Sequence, residues 1–145
     1  TWESPDHLNN YSSVNKFGTD LLNFLDSECP EIKVIIKLHP LTGSVDKSLI
    51  QTIEQIESQV KSLNLNQQRP KEQMYEFHGV KSNILISELY DKADCLICDI
   101  SSVLGDFLYT NKRDSKQVNI YLKTPPQTPT LNFLRCLEKS QINLS

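Results

Sequence analysis

A chain of 145 residues suits one domain and is long enough to bury a real core. Apolar residues make up 38% and charged residues 23%, which excludes a disordered tail, and no apolar run approaches the length needed to cross a bilayer. The net charge of −3 supplies no basic footprint and argues against nucleic-acid binding as the main role, while a local basic patch toward a membrane is compatible with that total.

Residues 1–13 are polar and turn-rich and read as a loop leading to a helix. Over 13–27, Val14, Phe17, Leu21, Leu22 and Leu25 recur at helical spacing; Ser12 or Ser13 can cap the start, and Pro30 lies just past the end. IKVIIKL at 32–38 is β-branched, short and continuous, which predicts a buried parallel strand. A helix follows over 45–64, with Leu49, Ile53, Ile56, Val60 and Leu63 on one face, and NLNQQRPKE at 64–72 is a polar connection. QMYEFH at 73–78 predicts a second strand, 83–93 a short helix, DCLICD a third strand, SSVLGDFLYTN a helix, and QVNIYL at 117–122 a fourth strand. TPPQTP is a proline-broken loop, and an amphipathic segment covers 131–139. Helices alternating with apolar strands predict an α/β domain on a parallel sheet.

Four cysteines, Cys29, Cys95, Cys98 and Cys136, are not needed as staples in a chain of this size. Cys95 and Cys98 form a CxxC pair, but strand positions three apart point to opposite faces. The pair is therefore expected to be buried and unligated, as thiols suited to a reducing cytoplasm. Only four glycines are present, with no GxGxxG and no GxxxxGK[ST], so a glycine-rich nucleotide loop is not expected.

Ligands of open parallel α/β sheets bind outside the carboxyl ends of the strands. Two polar clusters fall there: His39-Pro40-Leu41-Thr42-Gly43 after the first strand, and Asp99-Ile100-Ser101-Ser102 after the third. Ser101 and Ser102 read first as helix caps, and the same N–H groups and hydroxyls can also meet a phosphate. Asp99 repels phosphate and fits better as a residue that orients the loop or binds a sugar-like hydroxyl. Pro40 forces the backbone of His39 extended, which fixes how the ring is presented. A neutral imidazole there can take a proton from an alcohol, and a protonated one can steady a phosphate oxygen. His7 and His78 read as incidental.

Three segments, TWESPDHLNNYSSVNKFG, IKVIIKLHPLTG and ADCLICDISSVLGDFLYTNK, occur in the order of motifs of the CDP-glycerol glycerophosphotransferases, which the chain resembles over positions 1 to about 112. In that family a "PTWE" segment leads to a "YSS" helix start, then "PHP" after a strand, then "TD-x-SS-V-x-x-DF". Where members often carry KP after the DF helix, this chain has Lys112-Arg113 within KRDSKQ. The resemblance implies a GT-B architecture of two Rossmann-like domains. Residues 1–145 would then be a single domain, the C-terminal, donor-nucleotide half of a longer protein whose acceptor half precedes Thr1.

By the same carry-over His39 matches the family's functional histidine. Pro40, Thr42, Gly43, Asp99, Ser101 and Ser102 would line the donor site, and Asp106 matches a motif acid of unassigned duty. The activity implied is transfer of polyol phosphate from CDP-glycerol or a similar CDP-polyol to an acceptor hydroxyl in envelope polymer synthesis. The acceptor, a polymer or a lipid-linked chain, would bind the other domain. The expected place is the cytoplasm, at the inner face of the cell membrane. Neither a metal nor a cofactor is demanded, since helix termini and hydroxyls can stabilise the charge. The alternatives are a GT-B nucleotide-sugar glycosyltransferase or epimerase half, or a non-catalytic GT-B domain that binds a partner.

Overall fold

In the computed structural model, which describes residues 12–66, 70–99, 101–110 and 118–121, the first helix is α1, Val14–Glu28. The Ser13 carbonyl accepts the N–H groups of Lys16 and Phe17, both at 3.0 Å. Ser13 occupies the cap position in a helical conformation (φ −98°, ψ −7°), and its hydroxyl makes no capping bond. A capping hydroxyl needs an extended backbone to turn it toward the first-turn N–H groups, so the expected serine cap is absent at Ser13. The Cys29 N–H closes the helix on the Leu25 carbonyl, and Pro30 follows.

Strand β1 is Ile35–Lys37, shorter than the apolar run that predicts it. The Ile32 N–H is held in a turn by the Cys29 carbonyl, so the first residues of that run are still reversing direction. β1 pairs in parallel with β2, Glu76–His78, in the register Ile35 to Glu76, Ile36 to Phe77 and Lys37 to His78. Two further bonds, Glu76 N–H to the Val34 carbonyl and Leu38 N–H to the His78 carbonyl, extend the ladder at both ends. Helix α2, Ser48–Asn66, and a short 3₁₀ turn, Lys71–Gln73, make the crossover.

The core of this part is Leu22, Ile56, Val60 and Tyr75, with Val14, Val34, Ile36, Leu63 and Phe77 packed against it. Alternation along each strand puts Val34 and Ile36 on the face toward the helices and leaves Lys33, Ile35 and Lys37 on the other. α1 and α2 approach closely at Gly18, where a Cβ would stand 2.7 Å from Ile56 Cδ1. Polar bonds run along this seam: Thr52 Oγ1 to Asn15 Oδ1 at 2.9 Å, and Gln59 Nε2 to Asn23 Oδ1 at 2.6 Å.

The chain divides into two compact units, Thr1–Ile84 and Leu85–Ser145. The second holds α3, Ile86–Tyr90, then β3, Cys95–Cys98, α4, Val103–Tyr109, and β4, Val118–Tyr121. The Leu85 N–H donates to the Glu88 carboxylate at 3.3 Å, which caps α3. β3 and β4 are parallel, Cys95 opposite Val118 and Cys98 opposite Tyr121. Phe107, fully buried, meets Tyr90 edge to face with ring centroids 5.7 Å apart. Each unit is therefore mixed α/β, a two-stranded parallel sheet with helices against it, as the alternation predicts.

The cysteines depart from expectation. Cys95 is exposed and Cys98 half-buried, and neither is in a disulfide. A parallel strand is enclosed only where layers cover both its faces, and Cys95, at the start of β3, lies beyond such cover among the described residues. Among the described residues no helix is long and apolar enough to cross a membrane. Residues 1–11 of the loop predicted over 1–13, the TPPQTP loop, the 131–139 segment, Cys136 and the KRDSKQ run lie outside the described residues.

Candidate functional site

The first cluster is a pair of linked turns beyond β1. The Thr42 N–H donates to the His39 carbonyl at 3.0 Å, closing a turn with Pro40 at its second position, where a fixed φ is favoured. The Ser44 N–H then donates to the Leu41 carbonyl at 3.0 Å, and Gly43, third in that turn, has φ +81°. A turn of that shape demands a residue tolerant of the left-handed region, which explains the glycine. Thr42 and Gly43 are buried, whereas His39 and Pro40 are exposed.

His39 is oriented by its own loop: the Leu41 N–H donates to Nδ1 at 3.2 Å. A neutral imidazole that accepts at Nδ1 carries its proton on Nε2. In this arrangement His39 is a donor through Nε2–H. Base chemistry at Nε2 would need the other tautomer, whose Nδ1–H would face the Leu41 N–H. Of the two roles open to this ring, the geometry favours the one that steadies an oxygen.

Beyond the turns, Asp46 Oδ1 accepts from the Ser48 N–H at 2.9 Å and from the Ser48 hydroxyl at 2.6 Å. The start of α2 is thus capped by the chain's own carboxylate. Asp46 escapes the sequence reading, although Asp-x-Ser just ahead of Leu49 is a cap signal. Lys47 also escapes it: its Nζ reaches back to the Gly43 carbonyl at 3.3 Å.

The second cluster joins β3 to α4. Asp99 is buried at 8% exposure, and its charge, after burial itself, pushes the neighbouring Cys98 thiol up. Ser101 Oγ accepts from the Val103 N–H at 3.4 Å, a long bond. Ser102 holds the cap position in a helical conformation (φ −60°, ψ −25°), is exposed, and makes no side-chain cap. So one serine of the pair, Ser101, does the capping that both were expected to share. Asp106 is exposed in the first turn of α4, and Ile100 lies outside the described residues.

His39, Pro40, Thr42 and Gly43 are thus brought together in one loop of the first unit. Asp99, Ser101 and Ser102 form a separate junction in the second unit. His78, the last residue of β2, is half-buried with Nε2 3.5 Å from Glu76 Oε2. Glu76 also pairs with Lys33, and that hydrogen bond is the main reason its carboxyl lies below the usual glutamate range. His7 is outside the described residues. No group of three or more His, Cys, Asp or Glu side chains that could hold a metal ion occurs among the described residues. No family model, curated protein or solved structure matches the chain.

Proposed function

We propose that the chain is the donor-binding part of a GT-B-type transferase acting on CDP-glycerol or a similar CDP-polyol. The observation that carries this reading is the loop after β1. It presents an exposed imidazole, held by the Leu41 N–H in the tautomer that donates through Nε2, at the carboxyl end of a parallel strand. That is the edge where α/β sheets take their ligands.

In the reaction, an acceptor hydroxyl attacks the donor's β-phosphorus. The bond between that phosphorus and the bridging oxygen breaks, the hydroxyl proton is lost, and CMP leaves with the bridging oxygen. Negative charge builds on the diphosphate oxygens as the bond breaks, and His39 Nε2–H would donate to one of them. The acceptor would bind elsewhere in the protein, at the inner face of the membrane.

Steady-state kinetics of the intact protein, read as CMP release from CDP-glycerol, tests this. Losing one preorganised donor costs about 10²–10³ in turnover, which is the expectation for His39→Ala. His39→Gln can present an amide N–H in place of Nε2–H and should recover much of that loss, whereas a lost base would not be replaced. Release of a nucleoside diphosphate instead of CMP would place the chain with the nucleotide-sugar transferases. No turnover and no nucleotide binding would favour the partner-binding reading.

A further inference from the structure

We propose that Lys37 and Lys47 bracket the His39–Gly43 loop and supply the positive charge for a nucleoside diphosphate, an assignment that rests on the donor-binding reading above. A diphosphate brings at least two negative charges, and the groups so far given to the loop after β1 are neutral. His39, accepting the Leu41 N–H at Nδ1, donates through Nε2–H without a charge. The compensation has to come from cations at the loop itself.

Both lysines are turned onto that loop. Lys37, the last residue of β1, donates from Nζ to the Leu38 carbonyl at 3.1 Å, and Lys47 donates to the Gly43 carbonyl at 3.3 Å. One ammonium therefore stands at each end of the segment. The acid nearest in sequence, Asp46, is engaged by the N–H and hydroxyl of Ser48. Thr42, between the two carbonyls, is 6% exposed. An ammonium held by a single carbonyl keeps two further donors, so an arriving phosphate oxygen can be met without breaking either contact.

The test is calorimetric titration of the protein with CDP and with cytidine, comparing wild type with Lys47→Met, Lys37→Met and the two Lys→Arg variants. Lys47 is exposed, so Lys47→Met is the deciding variant, and thermal unfolding checks that Lys37→Met remains folded. A charge-assisted bond to phosphate predicts a loss of roughly tenfold or more in CDP affinity for each Met variant, with cytidine binding unchanged and arginine retaining most of the affinity. Wild-type CDP affinity should also fall with added salt more steeply than that of Lys47→Met. CDP binding that survives Lys47→Met within about twofold, the scale of an ordinary surface charge, overturns the bracket and leaves the donor reading standing. Failure of the wild-type protein to bind CDP overturns both.

Discussion

Asn64 closes a clamp whose strength can be worked out from its geometry. From the last turns of α2 its Nδ2 donates to the Tyr75 carbonyl at 2.9 Å, while the Tyr75 N–H donates to Oδ1 at 2.8 Å. One side-chain amide thereby serves both backbone groups of a residue that is 3% exposed and part of the core. Asn64→Ala removes both bonds. Each is worth about 1 kcal/mol net, and a buried group left without its partner costs about 1–3 kcal/mol. Alanine returns roughly half a kcal/mol through its better helix propensity. The expected loss is about 2–3 kcal/mol, large against the usual margin of a domain. Urea unfolding followed by far-UV circular dichroism should show a lower midpoint with an unchanged slope. Asn64→Asp keeps the acceptor but sets a carboxylate against the Tyr75 carbonyl, which raises the folded pKa of the new acid. Its deficit should therefore shrink as pH falls through that raised value. A stability within about 0.5 kcal/mol of wild type for Asn64→Ala, the range of an ordinary surface change, would refute the clamp.

The Glu76 carboxyl is lowered chiefly by its hydrogen bond to Lys33, so its contribution is present above the ordinary glutamate range and lost as pH falls through the lower folded value. Glu76→Gln should therefore cost a small amount of stability at neutral pH, small because the pair is partly exposed, and flatten the acid loss below about pH 4 by that same amount. At Gly43 a methyl group would meet only ordinary contacts, 3.5 Å from Ile50 Cγ1 and 3.8 Å from Ile53 Cδ1. The cost of Gly43→Ala is then the left-handed backbone itself, about 1–2 kcal/mol by urea unfolding, and a neutral result would contradict the turn.

Helical spacing made α1 and α2 legible because Leu22 and Leu25, and Leu49, Ile56 and Val60, are buried at the three-, four- and seven-residue spacings of one helix face. The parallel pairing of β1 with β2 was legible too, since the long amphipathic segment between them must cross over. The ends were not. Ile32 reads as strand, yet the turn after Pro30 holds it, because its backbone bond to the Cys29 carbonyl outweighs β-propensity there. The exposure of Cys95 was equally hidden, since a strand's burial is decided by layers that come from elsewhere in the chain. At the site, the residue types of the His39–Gly43 loop could be read directly, and Gly43 in particular announces a turn. The tautomer of His39 could not, because it depends on one N–H two residues away. The lysines at either end were missed for a related reason: their ammonium groups fold back onto Leu38 and Gly43, contacts that no periodicity encodes.

The most direct measurement of the central claim is titration of the isotope-labelled chain with CDP, followed by amide chemical shifts. If the loop after β1 holds the donor, shifts should cluster at Leu41, Thr42 and Gly43. Shifts centred instead on the polar connection at 64–72, or no shifts at saturating CDP, would contradict it.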